Sequence, residues 1–327
     1  MWHKPAFSLP FSRTRLLIFT TIPILSFIAC SMIFPAKASS AASPRPAQAK
    51  QLRTNDRVLD LDRTPRATSS SDRPIVTLRV VNVILTRDLT GDLVSLSRQE
   101  LRDLSADMVA FENEVLTRTK ADLRVKLIET VFDDSAHYPE GVDPDTMLSD
   151  TSLLDDTSTA TIRTARTRTN ADVLMVIGGE MRGACGIANL NTSHSAKFAV
   201  GIVNSKCIRD SHDLTYPHEF GHALGLDHDR AIATGKHSTG ETNYGFVTPK
   251  SELRDVMSYD KACRKGSTCY PVATYANPKV TITMPMSDGR GHTTMKNIAL
   301  GDGDNDAAHY INDSLRLYAA MNYNDGN

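Results

Sequence analysis

The chain has 327 residues, 40% hydrophobic and 23% charged, a balance that belongs to a globular protein rather than to a disordered or fibrous one. Its 37 basic and 38 acidic residues nearly cancel and no Lys/Arg cluster stands out, so nucleic acid is excluded as an expected partner.

Residues 1–38 have the layout of an export signal. Lys4, Arg13 and Arg15 give a basic start, Leu16 to Phe34 form an apolar run interrupted by Pro23, and Ala36-Lys37-Ala38 puts small residues where a signal peptidase reads, which sets the cut after Ala38. The competing reading is a membrane anchor, because the run is near spanning length. The polar segment that follows favours removal and leaves no stable membrane span. Cys30 in "SFIAC" loosely resembles a bacterial lipoprotein site, with Phe27 a poor fit, so a periplasmic or lipid-anchored location is the alternative to release outside the cell. The leader takes four bases and no acid with it, which leaves the exported part mildly acidic.

Residues 39–72 are rich in Ser, Ala, Pro, Arg and Thr without a sustained apolar period and read as a flexible linker or short propeptide. From there 73–327 reads as one domain, expected to be monomeric. "IVTLRVVNVILT" predicts a strand over Thr77 to Thr86, buried on both faces. Ser97 and Glu100 form a capping box, and Leu101, Leu104, Met108, Phe111 and Val115 recur at helical steps. Leu123 to Phe132 alternates like a strand, Asp156 to Thr169 is helical, and Asp172 to Gly179 is a short buried strand. Two more strands follow, "GIANL" (186–190) and "FAVGIVN" (198–204), before a capped helix that starts near Thr215 with Pro217 in its first turn. Beyond Gly225 few periodic segments occur until a final helix over Asp306 to Asn322. The fold class is α/β (α+β), with an irregular lower part.

Without Cys30, four cysteines remain in a chain bound for an oxidising compartment, and they read as two disulfides. Of three possible pairings, Cys185 with Cys207 and Cys263 with Cys269 close the shortest loops. A cysteine zinc site is disfavoured because no CxxC pair is present.

The chemistry is concentrated in "HEFGHALGLDHD" (218–229). On a helix, His218 and His222 project from one face and their ring nitrogens can converge on a single ion. Glu219 is turned too far around the helix to join them as a ligand but is placed to reach a water on that ion, which makes it the candidate general base. Gly225 permits a left-handed turn that ends the helix and returns His228 as third ligand. Three imidazoles, an open coordination position and a nearby carboxylate describe catalytic Zn2+ rather than structural Zn2+.

The stretch matches HExxHxxGxxH and so resembles the metzincin zinc metallopeptidases. The resemblance extends to "DVMSY" (255–259), similar to their Met-turn, with Met257 under the ligands, although Met257 is equally readable as a core methionine. Asp229 after the third histidine is similar to the adamalysin/reprolysin pattern, where it supports the site; a surface acid is the plain alternative. "CRKGSTCYPVATYANPKV" and the final helix resemble secreted bacterial reprolysin-like enzymes that include the peptidyl-Asp metalloendopeptidases. The resemblance implies a mixed twisted sheet of about five strands, an active-site helix, and a C-terminal part with Met-turn and final helix. It also implies that Tyr259 donates a hydrogen bond to the oxyanion, where otherwise it is a packing tyrosine, and that "GIANL" is an edge strand pairing with extended protein or peptide substrates.

Asp302, Asp304 and Asp306 sit at calcium-loop spacing, but Ala307 replaces the needed glycine and Asp313 the bidentate Glu, so Ca2+ is weakly supported and a helix N-cap is preferred. His137, His194, His212, His237, His292 and His309 have no partner at ligand spacing. The sequence therefore predicts a secreted zinc endopeptidase, with a zinc-bearing but inactive binding or adhesion module as the alternative.

Overall fold

The computed structural model describes residues 29–33, 74–152, 160–233, 240–265, 269–287 and 292–321. The linker over 39–72 and most of the leader lie outside the described residues, as do His237 and the last residue of the expected final helix.

In chain order the strands and helices begin with β1 (Ala29–Ile33), β2 (Val76–Leu85), α1 (Arg98–Thr119) and β3 (Leu123–Asp133). Then come α2 (Pro144–Ser152), α3 (Ala160–Thr169), β4 (Val173–Ile177), β5 (Ala184–Asn189), β6 (Val200–Val203) and α4 (Thr215–Ala223). The lower part holds β7 (Leu253–Arg254), β8 (Tyr270–Pro271), β9 (Asn277–Ser287), β10 (Thr293–Leu300), α5 (Ala307–Asp313) and α6 (Leu315–Ala320).

The main sheet has the order β1-β5-β6-β4-β2-β3. β3, β2, β4 and β6 run parallel, and β5 is antiparallel to β6. These five strands form the mixed sheet expected from the sequence, and β1 adds a sixth, antiparallel to β5, with Cys30 opposite Ala188. β1 lies inside the stretch read as a leader.

Strand side chains alternate between faces, and here the sheet divides two cores. Leu78, Val80 and Ile84 of β2 face α1 and α4, where Met108, Phe111, Val115, Tyr216 and Phe220 are buried. Val81, Val83 and Leu85 face α2 and α3, packing with Met147, Leu148, Ile162 and Ala165. Burying each large aliphatic or aromatic side chain stabilises by about 1.5–3 kcal/mol. The continuous apolar run of β2 is thus the signature of a strand covered on both sides.

α1 starts as its capping box requires: Glu100 N donates to Ser97 Oγ at 3.3 Å, and Ser97 N donates to Glu100 Oε2 at 2.7 Å. α4 differs from expectation at its start, since Leu214 occupies the cap position without a side-chain bond and Asp213 Oδ1 accepts from Thr215 N at 2.9 Å instead.

The segment after Gly225 contains more regular structure than its sequence suggests. β9 and β10 form a long antiparallel hairpin whose inner face, Val280, Ile282 and Leu300, packs on Leu253 and Val272. Pro278 and Pro285 obscure its alternation in the sequence, and both lie in a two-stranded ladder where a missing amide is tolerated. The final helix is two helices, α5 and α6, divided at Ser314. The poor helix formers Asn312, Asp313 and Ser314 stand at the break. Among the described residues no helix is long and apolar enough to cross a membrane.

Candidate metal centre

α4 lies against β5 and β6 and is buried along its whole length. His218 and His222 point from it into the interior and are 1% and 0% exposed. The helix ends where expected. Gly225 adopts φ +89°, Gly225 N donates to His222 O at 2.8 Å and Leu226 N to Gly221 O at 2.9 Å, a glycine-terminated reversal that only an achiral residue enters cheaply. The remaining carbonyls at this end are capped from afar: Asn191 Nδ2 reaches Ala223 O, Tyr318 Oη reaches Leu224 O, and Asn243 Nδ2 reaches Gly225 O. The reversed chain carries His228 back to the other two.

The three Nε2 atoms form a nearly equilateral triangle with sides of 3.1, 3.2 and 3.2 Å. His218 Nδ1 lies 2.8 Å from Val256 O and His222 Nδ1 2.7 Å from Leu226 O. A carbonyl only accepts, so each Nδ1 carries the proton and each Nε2 offers a lone pair to the centre. Burial lowers the pKa of both residues, His222 to about 4, and it lowers that of His228 too, with the neighbouring imidazoles adding to the shift. Two imidazole lone pairs fixed in this way, converging with His228 Nε2, fit one Zn2+ ion. Among the described residues this is the one cluster of His, Cys, Asp or Glu whose ligand atoms converge.

Glu219 follows His218 on α4 and is fully buried against Gly186 of β5, and neither carboxylate oxygen has a hydrogen-bond partner. Burial raises its pKa well above the usual range. A buried carboxylate without a partner within the protein is left to be satisfied by something the chain itself does not supply. Tyr259 Oη is 2.6 Å from His228 Nε2 and its ring is 4.3 Å from the His228 ring, so the phenol faces the same centre.

The residues expected to support the site are close to it. Met257 is fully buried against α4, and a Cβ on Gly221, between the two helical histidines, would meet its sulfur at 2.4 Å. Asp229 is 5% exposed, which overturns the surface-acid alternative; it bonds the amides of Ala231 and Tyr259 and so ties the His228 turn to the Met257 turn. Cys185 is bonded to Cys207 and Cys263 to Cys269, with Cα separations of 5.4 and 6.0 Å. Asp302 Oδ1 is taken up by Asp304 N, Asn305 N and Asn305 Nδ2, and Asp306 caps α5 through His309 N, so these acids act as turn and cap residues.

Several site residues went unrecognised in the sequence. Gly186 of β5 leaves room for Glu219, since a Cβ there would lie 2.2 Å from Oε1. Tyr275 packs under α4 beside Gly221, and its hydroxyl is 2.7 Å from Pro217 O. Asp255, at the start of the segment containing Met257, accepts from Phe246 N and Ser258 Oγ, and burial pushes its pKa up to about 7. A small residue in a strand and an acid in a turn carry no local signal of a site.

Residues 104–229 match the metallo-peptidase family M12B, reprolysin-like. No curated protein matches the chain. A solved structure described as a chaperone–substrate complex is 20% identical and similar in fold, with a TM-score of 0.53 over 76% of this chain; the match spans 36% of that chain's length. Metalloproteinase-II from Bacteroides fragilis is 14% identical over 48% of this chain and 45% of its own, with a TM-score of 0.32.

Proposed function

We propose, from the premise that the chain is a reprolysin-like metallopeptidase of the metzincin type, that it is a secreted zinc endopeptidase acting on extended peptides. The observation that carries this reading is the triangle of Nε2 atoms on a helix that also carries the buried, unpartnered carboxylate of Glu219. His218, His222 and His228 would hold the ion. Zinc bound there would supply a solvent ligand with a pKa lowered toward about 7 and a charge that polarises a carbonyl.

The chain's own residues do the rest. Glu219 accepts the proton of the attacking water at a carboxylate oxygen and passes it to the amide nitrogen of the leaving group. Tyr259 Oη donates to the developing oxyanion, for which it must leave His228 Nε2. Asp229 and Met257 hold the turns from which His228 and Tyr259 project. The outer edge of β5 aligns the substrate as an added strand, with backbone bonds that read no side chain. In support, that edge already pairs with Ala29–Ile33 in antiparallel register, and cleavage after Ala38 would free it. The Cys185–Cys207 bond fastens β5 to the segment after β6 and stiffens this wall.

Two disulfides and the leader pattern support release into an oxidising compartment. The test is hydrolysis of a denatured protein by the purified chain: chelator-sensitive cleavage at internal bonds, lost in Glu219→Ala with zinc retained, is expected. A zinc-loaded protein that cleaves nothing would instead be the inactive binding module.

A further inference from the structure

Glu112 of α1 is fully buried, and its side-chain partner is the Tyr275 hydroxyl, 3.0 and 3.1 Å from its two carboxyl oxygens. The same phenol oxygen is 2.7 Å from the carbonyl of Pro217, the residue before His218. A phenol has one proton to give, and here it stands between two acceptors. If it donates to Pro217, an ionised Glu112 faces it lone pair to lone pair; if it donates to Glu112, the Pro217 carbonyl does. Both contacts are attractive together only when a second proton resides on Glu112.

We propose that Glu112 is a buried neutral carboxylic acid that donates to Tyr275 Oη while Tyr275 donates to the Pro217 carbonyl, and that this chain of two bonds is the positioning device seating α4 and its metal ligands. Burial raises the Glu112 pKa well above the usual range against the opposing Tyr275 bond, in line with that protonation. The titratable groups that face it are Tyr275, from the segment before β9, and Tyr216 of α4, both also raised by burial; Asp255 and Tyr318 stand beyond Tyr275. Tyr275 is itself anchored, its amide donating to Thr119 Oγ1 near the end of α1, so the chain runs from α1 through a fixed phenol to the first turn of α4.

The sign of the pH dependence follows. Folded Glu112 keeps its proton where the unfolded chain releases it, above the ordinary value of 4.5, so its contribution falls as pH rises from there toward the folded pKa. Glu112→Gln keeps the shape and supplies an N–H with no proton to lose. The melting temperature of the Gln variant minus that of the unaltered protein should therefore grow by roughly 3–5 °C per pH unit as the pH rises above about 5 toward the folded pKa, and changes common to both proteins, histidine titration included, cancel in the difference. Zinc affinity and kcat should stay near those of the unaltered protein in Glu112→Gln and fall in Glu112→Ala, which leaves Tyr275 Oη without its donor. A difference that is flat or shrinks with pH, or a Gln variant that loses zinc as fully as the Ala variant, overturns the proposal. If the Ala variant does not fold, the Gln series decides alone. The activity readout rests on the peptidase reading; the melting and zinc readouts do not, so a failure of one is distinguishable from a failure of the other.

Discussion

Gly186 in β5 and Glu219 in α4 meet so closely that a methyl group on Gly186 would lie 2.2 Å from Glu219 Oε1 and 2.6 Å from Cδ. The carboxylate is buried and has no partner that holds it in place, so Gly186→Ala displaces it. Misplacing a reacting group by about 1 Å costs on the order of a hundredfold. Gly186→Ala should accordingly lower kcat by about 10–100-fold while metal analysis shows unchanged zinc. An unaltered kcat would mean that Glu219 is not the base.

Tyr259 Oη, 2.6 Å from His228 Nε2, faces the centre without being one of the three converging nitrogens. Loss of one oxyanion donor costs about 10²–10³-fold in kcat. Tyr259→Phe should show a drop of that order with zinc content intact, measured by steady-state kinetics on a fixed peptide. A kcat equal to that of the unaltered protein would make Tyr259 a packing residue.

Gly225→Ala acts on the metal ligands through the backbone. At φ +89° a side chain costs about 1–2 kcal/mol in strain, and the added carbon would stand 2.7 Å from Tyr310 Oη and 3.1 Å from Asn191 O. The variant should melt at least about 3 °C lower and bind zinc more weakly, because the reversal that returns His228 is disturbed. Calorimetry and a chelator competition check both; unchanged zinc affinity would show that His228 is positioned independently of this turn.

What the sequence made legible is what is local in it. His218, Glu219, His222, Gly225 and His228 fall within eleven residues, so helix periodicity and one glycine suffice to bring three imidazoles together. The capping box of α1 and the buried run of β2 are local in the same sense. Gly186, Asp255, Tyr275 and Glu112 act through contacts made across the fold, Tyr275 with Glu112 across 163 positions, and no spacing announces such contacts. The cap of α4 was misjudged because Asp213 satisfies Thr215 from outside the position a capping residue normally takes. The β9–β10 hairpin was hidden because Pro278 and Pro285 interrupt β9 and because Thr293 to Asn297 of β10 are exposed on both faces, so the residues of that strand do not sort by period.

The central claim is that three imidazoles hold one zinc ion and leave a position open to solvent. X-ray absorption at the zinc edge on the purified protein tests it directly. The account predicts one ion per chain with three nitrogen ligands at about 2.0–2.1 Å and an oxygen from solvent. Protein that takes up no zinc, or zinc whose fourth ligand is a side chain of the protein, would contradict it.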